Sequence, residues 1–252
     1  MIFDTHAHYD DERFDDDRDF LFNEYFPKNG VCGVITCGTN EQSCAAAVEM
    51  AEKYDNVYAA VGIYPEHTDE KGVDLEKLRA LCSHKKTVAI GEIGLEYHYE
   101  GVSHDIQKRE FERQVLLANE LDLPVIVHNR EAHNDTLEIL KRTKPKGVIH
   151  CFSGSVEVEK EILKLGMYIG LGGAVTFKNA RVPVEAASFV PLDRLVLETD
   201  APYMSPVPQR GKRCDSVMIK YTAEKIAEIK GISVDMLLDA TEQNARRLFG
   251  IK

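Results

Sequence analysis

The chain has 252 residues, 44% of them apolar, and a formal net charge of −11. That length supports a large core and suits either two small domains or one α/β barrel, which takes about 250 residues. The acidic balance excludes a broad basic surface for tracking nucleic acid, but leaves room for a local cluster that holds an anion. Acids stand early (Asp4, Asp10, Asp11) and no apolar run with basic flanks precedes them, so no signal peptide is expected. No stretch approaches the roughly 20 apolar residues of a membrane span. The six cysteines are scattered without a Cys-x-x-Cys pair, which points to thiols rather than a disulfide framework. A soluble cytoplasmic protein with no membrane contact and no obligate protein partner is the expectation.

In chain order, flat apolar runs fall at Ile2–His6, Val31–Cys37, Val57–Ile63, Val88–Glu92, Val125–His128, Val148–Cys151, Met167–Leu171 and Leu195–Thr199. Runs of this kind suit parallel strands covered on both sides. Thr39 with Gln42 predicts a capping box ahead of a helix over 45–54. Asp74 precedes a second amphipathic stretch, and Phe111, Val115, Ala118 and Leu121 stripe a longer helix between His104 and Asp122. Ser155 opens a helix that Gly166 closes. The acidic run from Asp10 to Asp19 reads as a solvated loop and helix start. Alternating strands and helices, with no linker or repeat, predict one (β/α)8 barrel of TIM type over residues 1–252.

The chemistry collects at strand ends. His6 and His8 sit at the end of the first run, and period two along a strand sets Asp4, His6 and His8 on one face. Glu92, His128 and His150 end the fourth, fifth and sixth runs, and Asp200 follows the eighth. In a barrel all these ends meet at one mouth, where active sites are built. Imidazoles and carboxylates so gathered make a site for divalent cations: Mg, Mn or Zn, with Fe or Ni also compatible. A water on such ions loses its proton more readily, and Asp200 is placed to orient and deprotonate it.

Several longer motifs carry a resemblance. Gly91-Glu92-Ile93-Gly94-Leu95, Pro124-Val125-Ile126-Val127-His128, His150-Cys151-Phe152-Ser153-Gly154-Ser155 and Glu198-Thr199-Asp200-Ala201-Pro202-Tyr203 resemble the TatD family of metal-dependent deoxyribonucleases. So do 175–180 and Arg210-Gly211-Lys212-Arg213, and the likeness runs from Asp4 to Phe249. The resemblance implies a distorted TIM barrel hydrolysing DNA phosphodiesters, often from the 3′ end. It implies His6, His8, Glu92 and Asp200 on one metal and Glu92, His128 and His150 on a second, with Glu92 bridging.

Asp4 and Glu198 lie one strand step below His6 and Asp200, where they either fix histidine tautomers or form ordinary buried ion pairs. Arg130, Lys178, Arg210, Lys212 and Arg213 are the candidates for binding phosphate, with Asn179 beside them. The chain departs from the family at Tyr64 and Glu66, where many members carry histidine, at Glu96 for Asp, and at Cys214 for Asn. The expected partner is therefore DNA, single-stranded or at its ends. The alternative is a small-molecule amidohydrolase or esterase on the same barrel. Many of those bridge their metals with a modified lysine at strand four, and Glu92 occupies that place here.

Overall fold

Each apolar run becomes a parallel strand, and the strands pair in the order in which the chain supplies them. The computed structural model describes residues 1–252. The strands are β1 (Ile2–Ala7), β2 (Val31–Cys37), β3 (Val57–Val61), β4 (Thr87–Glu96), β5 (Val125–Arg130), β6 (Gly147–Ile149), β7 (Tyr168–Leu171) and β8 (Leu195–Leu197). Seven ladders join neighbours from β1 through β8 into a nearly closed TIM-type barrel. The most visible departure from expectation is β4, which continues to Glu96 beyond Glu92.

Short helical turns over 18–28 link β1 to β2, and longer helices cover the remaining strands. They are α1 (Glu41–Lys53), α2 (Leu75–Cys82), α3 (His104–Glu120), α4 (His133–Thr143), α5 (Val156–Lys164), α6 (Arg181–Phe189), α7 (Ile219–Lys230) and α8 (Val234–Phe249). Asp74 and Ser155 cap α2 and α5 as the sequence indicates. The capping box of α1 is one residue later than expected. Asn40, not Thr39, accepts from the Ser43 amide at 2.9 Å, and Ser43 Oγ accepts in return from the Asn40 amide. The short Asn side chain in an extended backbone reaches the third helical amide directly. No helix is long and apolar enough to cross a membrane.

Inside the barrel, apolar residues and site residues follow one another along single strands. Ile126 precedes His128, Val148 precedes His150, and Val196 precedes Glu198. Period two therefore puts a packed layer beneath a polar one. Leu248, Phe249 and Ile251 join that lower layer, so α8 and its tail close the end of the barrel away from the site.

The seam between β1 and β8 is not a ladder. It is closed by a single bridge between Ala7 and Ala201 and by side chains. Asp4 is fully buried there and accepts from the Thr199 amide (3.0 Å), Thr199 Oγ1 (2.6 Å) and Ser216 Oγ (2.7 Å). This corrects the expected role of Asp4. It touches no imidazole, because the β1 register shifts between Asp4 and Ala7 and breaks the assumed period of two. Thr5 Oγ1 adds a bond to the Leu197 carbonyl at 3.0 Å.

Candidate metal centre

Six side chains from five strands converge at the barrel mouth. Glu92 lies at their middle, nearly buried, with its two oxygens turned in different directions. Oε2 stands 3.5 Å from Nε2 of both His6 and His8. Oε1 stands 3.0 Å from His128 Nδ1 and 2.9 Å from His150 Nε2. Asp200 Oδ1 completes the first group, 3.4 Å from His8 Nε2 and 3.7 Å from His6 Nε2.

Asp200 reaches this point through its backbone. It follows β8 with φ of 63°, a left-handed turn that non-glycine residues seldom adopt. Its amide donates to the His6 carbonyl at 2.9 Å, which fixes the turn against β1. Gly94, beside the centre, has φ of 149°, and a Cβ there would lie 1.9 Å from the His128 carbonyl oxygen. Only glycine lets β4 and β5 approach closely enough to bring Glu92 and His128 together.

The outward ring nitrogens of His6, His8 and His128 are held by other groups, and that of His150 has no hydrogen-bond partner. His8 Nδ1 donates to the Cys37 carbonyl at 2.9 Å, which leaves the Nε2 lone pair pointing inward. His128 Nε2 faces Glu96 Oε2 at 3.2 Å and the Tyr64 hydroxyl at 3.1 Å, so its Nδ1 is the inward atom. His6 Nδ1 meets Cys37 Sγ at 3.4 Å, and its ring stacks on His150 with centroids 3.9 Å apart. Glu198 Oε1 accepts from the Cys151 amide and lies 3.8 Å from His150 Nδ1, too far to bond it.

These contacts set the protonation of the protein's own groups. Burial alone would lower His8, but the Asp200 and Glu92 carboxylates outweigh it and lift it to about 9. His150 is raised to about 9 in the same way, against burial, by Glu92 and Glu198. Burial and the neighbouring His150 charge push His6 down to about 4. Burial would raise Glu92, yet the charges of His150 and His6 keep it well below the ordinary carboxylate range. Burial brings Glu198 up to about 7.

The donor set fits divalent cations. His6 Nε2 and His8 Nε2 lie 3.1 Å apart, as do His128 Nδ1 and His150 Nε2 at 3.3 Å. Ring nitrogens so close either share a proton or converge on a cation that takes the proton's place. Three triads have their donor atoms within 4.8 Å of one another: His6, His8 and Glu92; His6, His150 and Asp200; and Glu92, His128 and His150.

A family model described as "TatD related DNase" matches residues 3–250. The chain belongs to that family. It is 43% identical over 255 residues to the uncharacterized metal-dependent hydrolase YabD of Bacillus subtilis, covering 100% of both chains. It is 35% identical to a protein of Pantoea ananatis named 3′-5′ ssDNA/RNA exonuclease TatD, covering 88% of this chain and 89% of that one. Among solved structures, the TatD homologue YjjV of Escherichia coli superposes with a TM-score of 0.92 at 30% identity, over 100% of this chain and 98% of that one. This TatD relative is thus a metal-dependent hydrolase by family.

Around the centre opens a cleft of about 560 Å³. Of the five candidates for phosphate, only Arg130 lines it. Arg213 is committed elsewhere: its guanidinium pairs with Asp17 at 2.8 Å and stacks over Phe14. Arg210 stacks over Phe177 with 4.0 Å to the ring centroid and donates to the Ser205 carbonyl. Lys178 and Asn179 border a separate hollow, and Lys212 is exposed outside the cleft. Loop position beyond a strand end does not say where a long side chain points, which is why the sequence grouped them.

Glu96 and Tyr64, which together hold His128, received no role in the sequence beyond their departure from the family pattern. The signal was available for Glu96, two strand steps beyond Glu92 on the same strand face. Tyr64 carried no comparable signal, since it lies beyond the end of β3.

Proposed function

We propose that this family member cleaves phosphodiester bonds of single-stranded DNA ends, from the 3′ side, at a dinuclear metal centre. The observation that carries this is the division of Glu92 between two groups of histidines, one of them completed by Asp200. His6, His8, Glu92 and Asp200 would hold one ion, and Glu92, His128 and His150 the other. When bound, such ions supply Lewis acidity and an acidified water, and they stabilise both oxygens of an in-line displacement. The naming of the Pantoea relative as a 3′-5′ exonuclease on ssDNA and RNA supports the choice of substrate.

Asp200 is the proton acceptor. It is held ionised chiefly by its bond to His8, against the effect of burial, and it stands partly open to the cleft. A carboxylate at that place orients the attacking water and takes its proton. Arg130, fixed over the Tyr99 ring at 5.0 Å, presents a guanidinium to an incoming phosphate. Glu96 and Tyr64 keep the His128 ring from turning during the reaction.

The test is hydrolysis of end-labelled single- and double-stranded DNA by metal-stripped and metal-restored protein, beside a panel of esters and amides. Activity is expected to return with metal and to prefer single strands. DNA cleavage that persists in the Glu92→Ala, Asp200→Ala double variant would remove the centre from the reaction. Turnover of the amides or esters alone would favour the small-molecule alternative.

A further inference from the structure

The cleft walls are acidic. Asp10, Asp11, Glu66, Glu92, Glu96 and Asp200 line it, against Arg130 as its only Arg or Lys. Six carboxylates to one guanidinium leave no net positive charge even beside two divalent ions, counting histidines neutral. Polyelectrolyte attraction, which dominates most nucleic-acid binding, is therefore nearly absent from this cleft. A strand that enters it needs another source of affinity.

Two exposed aromatic rings stand at the same cleft. Tyr99 is 52% exposed and Tyr203 is 50% exposed. Tyr99 follows β4 and Tyr203 follows β8, and strands four apart in a barrel of eight lie across it from each other. The two rings thus face the mouth from opposite rims. Neither ring is loose. Arg130 covers one face of Tyr99 with 5.0 Å to the centroid, and Arg13 covers one face of Tyr203 at 4.4 Å. Arg13 is itself clamped by Asp11 through two bonds of 2.8 Å, which also neutralises it. Each tyrosine is a braced plate with about half of its surface open to solvent, and the His98 ring meets that of Tyr99 in edge geometry at 4.8 Å.

We infer that Tyr99 and Tyr203 are stacking platforms for unpaired nucleobases on either side of the metal centre, so that the protein grips nucleic acid by its bases more than by its backbone. The inference rests on the nuclease reading and adds to it the residues that select the strand. A face-on stack requires a splayed base, which a duplex withholds, and every base has a π face. The platforms therefore admit single strands of any sequence.

The experiment titrates metal-loaded protein into a trinucleotide carrying 2-aminopurine and uncharged methylphosphonate linkages, which resist hydrolysis and offer no backbone charge. Stacking quenches 2-aminopurine fluorescence. Saturable quenching is expected with the wild type. Tyr99→Ala and Tyr203→Ala are each expected to weaken it about fivefold or more, while Tyr99→Phe and Tyr203→Phe stay within about twofold. No quenching, or equal quenching in the alanine variants, would overturn the inference. End-labelled DNA hydrolysis is measured in parallel on the wild type. Tyrosine-dependent quenching without hydrolysis would refute the nuclease reading and leave the platforms standing.

Discussion

Glu96 Oε2 lies 3.2 Å from His128 Nε2, on the nitrogen opposite the one that faces Glu92. A carboxylate, an imidazole and the centre thus stand in line. Such a partner fixes the ring and raises its basicity as a ligand. Glu96→Gln is expected to weaken metal retention at the His128 and His150 side about 10- to 100-fold while leaving the fold intact. Competition with a chelator measures it. Unchanged metal affinity would reduce Glu96 to a buried polar group.

His6→Ala with His8→Ala is expected to lower bound metal from two equivalents to one, read by elemental analysis of purified protein. Glu92→Ala is expected to weaken both, since each of its oxygens serves a different histidine pair. If both double and single variants keep two equivalents, the assignment of ligands is wrong.

Asp4 tests the seam. Its carboxylate is buried and satisfied by Thr199 and Ser216, although burial still raises it to about 6. Asp4→Ala leaves those donors without a partner and is expected to cost about 2–4 kcal/mol of stability. Denaturant unfolding measures the loss. A change below about 0.5 kcal/mol would show that the bridge at Ala7 suffices to close the barrel.

Glu159 in α5 is 0% exposed, and neither carboxylate oxygen has a hydrogen-bond partner. Burial lifts it to about 7, only partly opposed by Lys230, from an ordinary 4.5. An acid raised in the folded state favours folding at low pH, where it is neutral in both states. That advantage is lost as pH climbs from 4.5 through 7. Glu159→Gln is expected to stabilise the protein by about 1–3 kcal/mol at pH 8 and by much less at pH 4. Equal shifts in Tm at both pH values would rule out the titration.

Arg130 and Arg213 are expected to separate. Arg130→Ala is expected to raise KM for DNA about tenfold with little change in Tm, because the side chain lines the cleft. Arg213→Ala is expected to lower Tm and spare KM, because its guanidinium is spent on Asp17 and Phe14. The reverse pattern would return Arg213 to the substrate path.

The barrel was legible in the sequence because parallel strands buried on both faces leave unmistakable apolar runs, and Val31–Cys37 matches β2 end to end. The convergence of His6, His8, Glu92, His128, His150 and Asp200 was legible for the same reason: each stands in the C-terminal half of a strand or just after it. Asp4 was misplaced because a register shift is invisible to period counting. Arg210 and Arg213 were misplaced because a guanidinium reaches several ångströms from its Cα and goes where Phe177 or Asp17 draws it. Tyr99 and Tyr203 were passed over because an aromatic in a loop looks the same whether it faces a cleft or open solvent.

The seam has a consequence for the order of folding. Asp4 and Thr199 are 195 residues apart, and Tyr9 and Ser216 are separated by 207. His6 and His8 therefore meet Asp200 only after the two flanks of the barrel have come together across nearly the whole sequence. Contacts of such long range form late, because the entropy of closing the loop must be overcome first. An ion held by His6, His8 and Asp200 would then act as a latch, arriving after the other strands have assembled and tying the first to the eighth.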